Sequence, residues 1–402
     1  MSEIAVNQGR TVPSLALLGL ASSLSVFGMA IIVPAIGGIA AHFDAAIADV
    51  QYVVSAYLFG LALSQPVCGY LADRFGRRRT MLTGFTLFIV ASAGAVVAPS
   101  LPLLVAMRFL QAVGVSVGTV ATRAILRDTR AGDKLAEAMS YVAVAMGVAP
   151  IIAPIFGGML DAAIGYQSIF VLTALMGLLV VTSVFFHLDE TLPDDYAARD
   201  VGRWLAGYAV LLRSASFVGY TLVFGFVQGT FFSFLAVGAP YFDSAFGIGS
   251  RQFGILWGAL AVTYVFGAAL GARLTPVIGA ARVLRFGVLA GVAAGVLVVA
   301  VTWSGTVTPV RVLVPLGALM IVAGVVTPGA LAGAVHDHPQ RAGTASGLSS
   351  ALGLVLGGVF TIISGSLYAG GFEPIALLMC GCTVATWLSW LLATRANQRD
   401  AS

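Results

Sequence analysis

Long runs of residues without a single charged side chain dominate this sequence. Eleven of them cover 11–43, 50–72, 80–107, 138–160, 162–188, 214–242, 252–272, 286–310, 312–335, 342–372 and 374–394. One more span is placed at about 101–125, across Arg108, because 80–107 is long enough to turn back at Pro99–Pro102. Each run can supply the roughly 20 apolar residues that a helix needs to cross about 30 Å of hydrocarbon. The sequence therefore predicts twelve membrane spans.

The shortage of charge decides the class of protein. Only 9% of the 402 residues are charged, whereas a globular domain carries roughly 25%. Soluble enzymes, disordered chains, collagen-like chains and disulfide scaffolds are excluded. The runs are rich in Leu, Val, Ala and Gly and do not alternate with polar residues, which also excludes a lipid-facing β-barrel. We predict an all-α polytopic membrane protein.

The basic residues predict how the chain is oriented in the bilayer. With both termini in the cytoplasm, 18 of the 21 Lys and Arg residues fall on the inner side. The outer loops hold only Arg251 and Arg311, and Arg108 lies within the membrane. This asymmetry follows the positive-inside rule. The excess of basic residues therefore reflects the orientation of the chain in the membrane. The predicted partner is the lipid bilayer rather than nucleic acid.

A charged segment divides the spans into two sets of six. Residues 189–213 hold eight charges in 25 positions. We interpret this segment as a cytoplasmic linker between an N-terminal half, 1–188, and a C-terminal half, 214–402. Two six-helix halves around a central binding site are a common plan among transporters that alternate access between the two sides of a membrane.

The loop between spans 2 and 3 carries the most specific motif, Gly69-Tyr-Leu-Ala-Asp73-Arg-Phe-Gly76-Arg77-Arg-Arg79. It resembles the G-x-L-x-D-R-x-G-R-[RK]-[RK] loop of the major facilitator superfamily. The resemblance implies the major facilitator fold. It also implies a cytoplasmic latch in which Asp73 and Arg77 engage Asp128 and the start of span 11, with the two glycines, Gly69 and Gly76, shaping the loop.

Other segments resemble the same superfamily. Arg108–Gly114 is similar to its R-x-x-Q-G segment, and Ala149–Gly158 to the G-P-x-x-G-G signature of its drug/proton antiporters. Ala342–Gly347 and Glu190–Leu192 resemble the bicyclomycin/chloramphenicol-resistance branch. By this resemblance, four residues of span 5 would kink the helix, pack tightly and limit leak: Pro150, Pro154, Gly157 and Gly158.

Span 4 presents a polar stripe inside the membrane. Arg108, Gln111, Thr119 and Thr122 fall within an arc of about 80° on a helix. Polar side chains at this depth face protein or a water-filled cavity. Two interpretations of Arg108 stay open: an arginine paired for structural reasons, and an arginine that lines a substrate cavity.

Span 7 presents an aromatic stripe around one amide, Gln228. Such a surface suits a lipophilic, weakly polar ligand, although helix packing would use the same phenylalanines. Tyr57 and Tyr264 are further candidates. The predicted substrate-binding residues are Arg108, Gln111, Thr119, Gln228, Phe231, Phe232, Tyr57 and Tyr264.

One position departs from the superfamily pattern. Related exporters usually carry an acid four residues before a proline in span 1, whereas Ala30 precedes Pro34 here. All seventeen acids fall in loops, in tails or at helix ends. Arg108 is therefore left without an evident counter-ion, which argues against cation selectivity.

These features favour a secondary transporter of the bacterial inner membrane that acts as a monomer and exports small lipophilic or amphipathic compounds. It would use the proton gradient and no cofactor or metal. A facilitator or importer of a neutral or anionic metabolite is the first alternative, and a membrane sensor without transport is the second. An enzyme is not expected, because no nucleophile–base pair or metal-ligand cluster can be placed in one cavity.

Overall fold

The computed structural model describes residues 13–192, 201–305 and 307–400, which form helices joined by short turns. Within these ranges, twelve helices are long and apolar enough to cross a membrane. The prediction of an all-α protein with twelve spans is confirmed. Charged residues extend several helices beyond their apolar runs, so that span 2, expected at 50–72, ends at Phe75.

The first six spans are Leu15–Phe43, Ile47–Phe75, Arg77–Val96, Leu101–Thr129, Gly132–Ile164 and Gln167–His187. The last six are Ala215–Phe246, Ser250–Ile278, Ala280–Thr302, Pro309–His336, Ala342–Leu367 and Glu373–Arg395. Span 1 is interrupted by a 3₁₀ turn at Val33–Ala35, where Pro34 cannot donate a backbone hydrogen bond. Span 4 crosses Arg108, as the sequence predicts.

The spans pack into two six-helix groups. In the first, span 4 packs against spans 2 and 3, span 1 against span 5, and span 3 against span 6. In the second, span 7 packs against spans 11 and 12, and span 10 against spans 8 and 9. Spans 2 and 11, and spans 5 and 8, join the two groups.

The bundle has two distinct ends. We call the end that carries the loop Gly69–Arg79 the basic end, and the opposite one the far end. A short helix, Val201–Arg213, lies between the two groups in sequence. Residues 193–200 of the expected linker lie outside the described residues, and the division at 189–213 stays a prediction.

Candidate functional site

A cavity of about 530 Å³ lies between the two halves at the basic end. Spans 2 and 4 and Met139 of span 5 form one wall. The opposite wall comes from the start of span 11, from Gln340 just before it, and from Tyr208 of the short helix. The lining mixes arginines, amides, hydroxyls and apolar side chains, so the cavity can accept a ligand that has both polar and apolar parts.

The far end is closed where spans 5 and 8 cross at their glycines. A Cβ atom on Gly158 would overlap the carbonyl oxygen of Ser250, and one on Gly254 would overlap that of Pro154. Gly157 lies equally close to the carbonyl of Ile31 in span 1. Only glycine permits such an approach of two backbones. Two residues of the antiporter-like stretch, Gly157 and Gly158, therefore lie at this closure.

A second far-end contact joins spans 2 and 7. The buried Gln51 donates a hydrogen bond from Nε2 to the carbonyl of Ala236 at 2.6 Å. Pro240, four residues after Ala236, lacks the N–H that would otherwise bind this carbonyl. Sequence reasoning missed Gln51. Pro240 could have indicated such a contact, because a proline inside a helix leaves the carbonyl four residues earlier free to accept a hydrogen bond from another span.

Arg108 is almost completely buried, with 1% of its surface exposed. Its Nη1 donates to the carbonyl of Gly28 at 3.1 Å and to Oε1 of Gln111 at 3.0 Å. Its Nε donates to the carbonyl of Val53 at 3.3 Å. The guanidinium carbon lies 4.1 Å from the centre of the Tyr57 ring, within range of a cation–π interaction. Protein groups thus surround Arg108, although its buried Nη2 has no hydrogen-bond partner among the described residues.

The polar stripe of span 4 extends this network. Gln111 donates from Nε2 to the hydroxyl of Ser92 at 2.7 Å. The hydroxyl of Tyr57 donates to the carbonyl of Ser25 at 2.9 Å, and the hydroxyls of Ser25 and Thr119 lie 3.0 Å apart. The structure therefore brings four predicted residues together inside the first half: Arg108, Gln111, Tyr57 and Thr119.

The predicted residues of the second half lie apart from this network. The Phe231 ring packs against Phe232 and Trp257, with ring centres 5.1 and 5.3 Å apart. Phe231 also lines an apolar cavity of about 20 Å³, which has room for about one water molecule. Gln228 and Tyr264 are half-buried. None of the eight predicted side chains lines the basic-end cavity.

The loop between spans 2 and 3 is held by ion pairs. Nη1 of Arg77 lies 2.6 Å from Oδ1 of Asp73, and its Nε lies 3.1 Å from Oδ2 of Asp128. Gly76 turns the chain with a φ of 98°, a conformation that favours glycine. Asp73 and Gly69 line the basic-end cavity, whose opposite wall includes the start of span 11.

Glu190, just after the end of span 6 at His187, caps span 3. Its carboxylate accepts hydrogen bonds from the backbone N–H groups of Arg77 at 2.7 Å and Arg78 at 3.2 Å. It also accepts those of Thr191 and Leu192, at 3.0 and 3.1 Å. Gly76 has no side chain with which to cap the helix, so a distant carboxylate replaces it. The sequence suggested Glu190 only as a mark of the family branch.

We expect Glu190→Gln to destabilise the protein by about 1–2 kcal/mol, because the charged acceptor at the start of span 3 is lost. Thermal unfolding of the purified protein in detergent, followed by intrinsic fluorescence, measures the effect. Glu137→Gln is the matched control, since Glu137 is exposed on span 5. Equal unfolding temperatures for the two variants would contradict the capping role.

Comparison with known proteins identifies the family. A sequence profile described as Major Facilitator Superfamily matches residues 18–362. The chain belongs to the major facilitator superfamily. Its members transport small molecules across membranes, so this chain is a multi-pass transporter.

Relatives within the superfamily cover almost the whole chain. Multidrug resistance protein D of Escherichia coli strain K12 is 30% identical over 391 residues, 97% of this chain and 98% of that protein. The bicyclomycin resistance protein homolog of Haemophilus influenzae is 26% identical over 393 residues, 95% of this chain and 96% of that protein. The resemblance to this drug-resistance branch is confirmed.

A solved structure agrees with the fold. The inward-facing, unoccupied structure of a bacterial homolog of the human lysosomal transporter Spinster superposes with a TM-score of 0.77. It covers 96% of this chain and 97% of that one at 18% identity. The similarity establishes the arrangement of twelve spans in two halves.

Proposed function

We propose that this chain exports small lipophilic or amphipathic compounds across the bacterial inner membrane in exchange for protons. The observation that carries the proposal is the 530 Å³ cavity between the halves at the basic end, opposite a far end closed by glycine contacts. Together they correspond to the inward-open state of an alternating-access cycle. The drug-resistance names of two relatives support this substrate class.

The positive-inside rule places the basic end in the cytoplasm, together with both termini and a linker at 189–213. A substrate then enters the cavity from the cytoplasm, and the far end opens when the halves rock. In this cycle the ion pairs of Arg77 with Asp73 and Asp128 bias the inward-open and outward-open states. The protein needs no cofactor, acts as a monomer, and draws on the proton gradient.

A second candidate is a facilitator for a neutral or anionic metabolite. Ala30 replaces the acid of related exporters, and Arg108 has carbonyl and amide partners but no carboxylate one among the described residues. Transport that persists after the proton gradient is collapsed would favour this candidate.

Susceptibility and dye efflux of a pump-deficient bacterium test export. We expect the wild-type chain to lower accumulation of its substrates and Asp73→Asn to abolish that effect, because Arg77 loses its 2.6 Å ion pair. Asp133→Asn, an exposed change at the start of span 5, serves as the control. Everted vesicles that release no protons when a transported compound is added would contradict antiport.

A further inference from the structure

Three arginines project onto the basic-end cavity without a carboxylate partner. Arg123 and Arg127 come from span 4, one helical turn apart, and Arg341 immediately precedes span 11. Arg127 donates from Nε to the carbonyl of Arg123 at 3.1 Å. Within the described ranges, no salt bridge involves any of the three. The two halves therefore offer guanidinium groups to the same space.

Acidic residues do not neutralise the three arginines that line this cavity. Asp73 is the one acid that lines the cavity among the described residues. Its Oδ1 already lies 2.6 Å from Nη1 of Arg77. A cation that entered the cavity would meet three positive charges and one occupied carboxylate, whereas an anion would find several unused N–H donors.

The positive-inside rule alone does not explain why an arginine occupies position 123. Arg123 lies six residues before the end of span 4 at Thr129, which places it roughly 9 Å inside the helix end. The positive-inside signal is already provided at the surface by exposed residues such as Arg74, Arg79 and Lys134. Arg123 is exposed to the space between the halves, where its guanidinium can bind a ligand of opposite charge.

The rest of the lining suits the body of an amphipathic molecule. Val120 and Met139 contribute apolar surface, and Tyr70 and Tyr208 contribute aromatic rings. Gln65 adds an amide that can hydrogen-bond in either direction. A ligand with an anionic head and an apolar or aromatic body would therefore meet a suitable partner at both of its parts.

We infer that this cavity is a binding site for amphipathic anions, whose carboxylate, sulfonate or phosphate head is held by Arg123, Arg127 and Arg341. The inference rests on the proposed function and names its substrate class. Guanidinium groups bind such heads with two parallel hydrogen bonds. Because Arg341 belongs to the other half, a bound anion links the two walls, so its arrival favours their approach and the closure of the basic end.

Two xanthene dyes of similar shape and opposite charge test the preference. Fluorescein, an anion at pH 7.4, and rhodamine 6G, a cation, are titrated by anisotropy into the full-length protein in phosphatidylcholine nanodiscs. We expect fluorescein to bind the wild type at least about tenfold more tightly than empty nanodiscs. Arg123→Gln should weaken this binding about tenfold, and Arg123→Gln with Arg341→Gln should weaken it further.

Arg282→Gln is the matched control, because Arg282 is exposed in span 9 and does not line the cavity. It removes the same charge and should change the affinity for fluorescein less than twofold. Equal losses of fluorescein affinity in Arg282→Gln and Arg123→Gln would overturn the site, because the net charge of the protein would then explain the binding. Rhodamine 6G that binds as tightly as fluorescein and is weakened by Arg123→Gln would also overturn it.

Titrations in a second lipid distinguish whether the bound anion is a lipid headgroup or a soluble compound. The titrations are repeated in nanodiscs that contain phosphatidylglycerol. If fluorescein affinity falls for the wild type but not for Arg123→Gln, the headgroup of an anionic lipid occupies the site. If the affinity of the wild type is unchanged, the site takes a soluble anion. Both results support an anion site.

Dye flux in proteoliposomes separates this inference from the proposed function. Efflux of fluorescein that Arg123→Gln reduces supports both. Efflux of rhodamine 6G without fluorescein would overturn the anion preference and leave export intact. Arg123-dependent binding of fluorescein without flux of either dye would leave the site intact and argue against export.

Discussion

Gly158→Val is expected to abolish transport and to hold the far end open. A Cβ at this position would overlap the carbonyl oxygen of Ser250, and backbone atoms cannot move aside as a flexible side chain can. Overpacking of this kind costs about 1–3 kcal/mol, and each 1.4 kcal/mol changes an equilibrium about tenfold. If the protein alternates as proposed, the state closed at the far end becomes rare.

Gly147→Val is a strong control for this variant. Gly147 also lies in span 5, and a Cβ there meets no atom within 4 Å. Spin labels at Val97 and Val310, exposed far-end positions in opposite halves, report the opening as a longer distance in Gly158→Val alone. A distance distribution identical to that of the wild type would contradict the assignment of this contact as the far-end closure.

Arg108→Met is expected to reduce transport by roughly 10- to 100-fold without lowering the temperature of unfolding. Arg108 is 1% exposed, and its guanidinium binds two carbonyls and the Gln111 amide. A buried cation without a carboxylate partner carries a desolvation cost, so an apolar residue of similar length can match or exceed its stability. The carbonyl of Val53, which lies inside the helix Ile47–Phe75, can keep its helical hydrogen bond in the variant.

Arg108→Lys separates charge from geometry. A lysine keeps the positive charge but not the planar fork of donors that reaches Gly28, Val53 and Gln111. We expect it to restore less than half of the wild-type transport rate, measured by dye efflux at equal expression. A variant Arg108→Met that transports normally, or one that unfolds at a much lower temperature, would make Arg108 a structural residue only.

The fold could be predicted from the sequence because charge is scarce. Eleven uncharged runs, a twelfth span placed across Arg108 and the skewed distribution of arginines leave few alternatives to a twelve-helix bundle. The partners of Arg77 could be predicted as well, since the resemblance named Asp73 and Asp128. Both ion pairs are present.

The cavity could not be predicted from periodicity. A polar stripe such as the one on span 4 faces the interior, yet periodicity does not reveal whether the interior there is empty or packed. Arg108 and Gln111 face other helices, whereas Arg123, further along the same span, faces the cavity. The contacts of Gln51 and Glu190 depend on which spans cross, which no local pattern contains.

The contact between Gln51 and Ala236 has a consequence for reversibility. An ordinary helical carbonyl is already engaged, but the one left over by Pro240 accepts an amide while the two halves touch. When they part, water can take the amide's place, and the exchange is close to neutral in free energy. A proline in one half thus provides a contact between the halves that can break and re-form many times, because water can replace Nε2 of Gln51 at the carbonyl of Ala236.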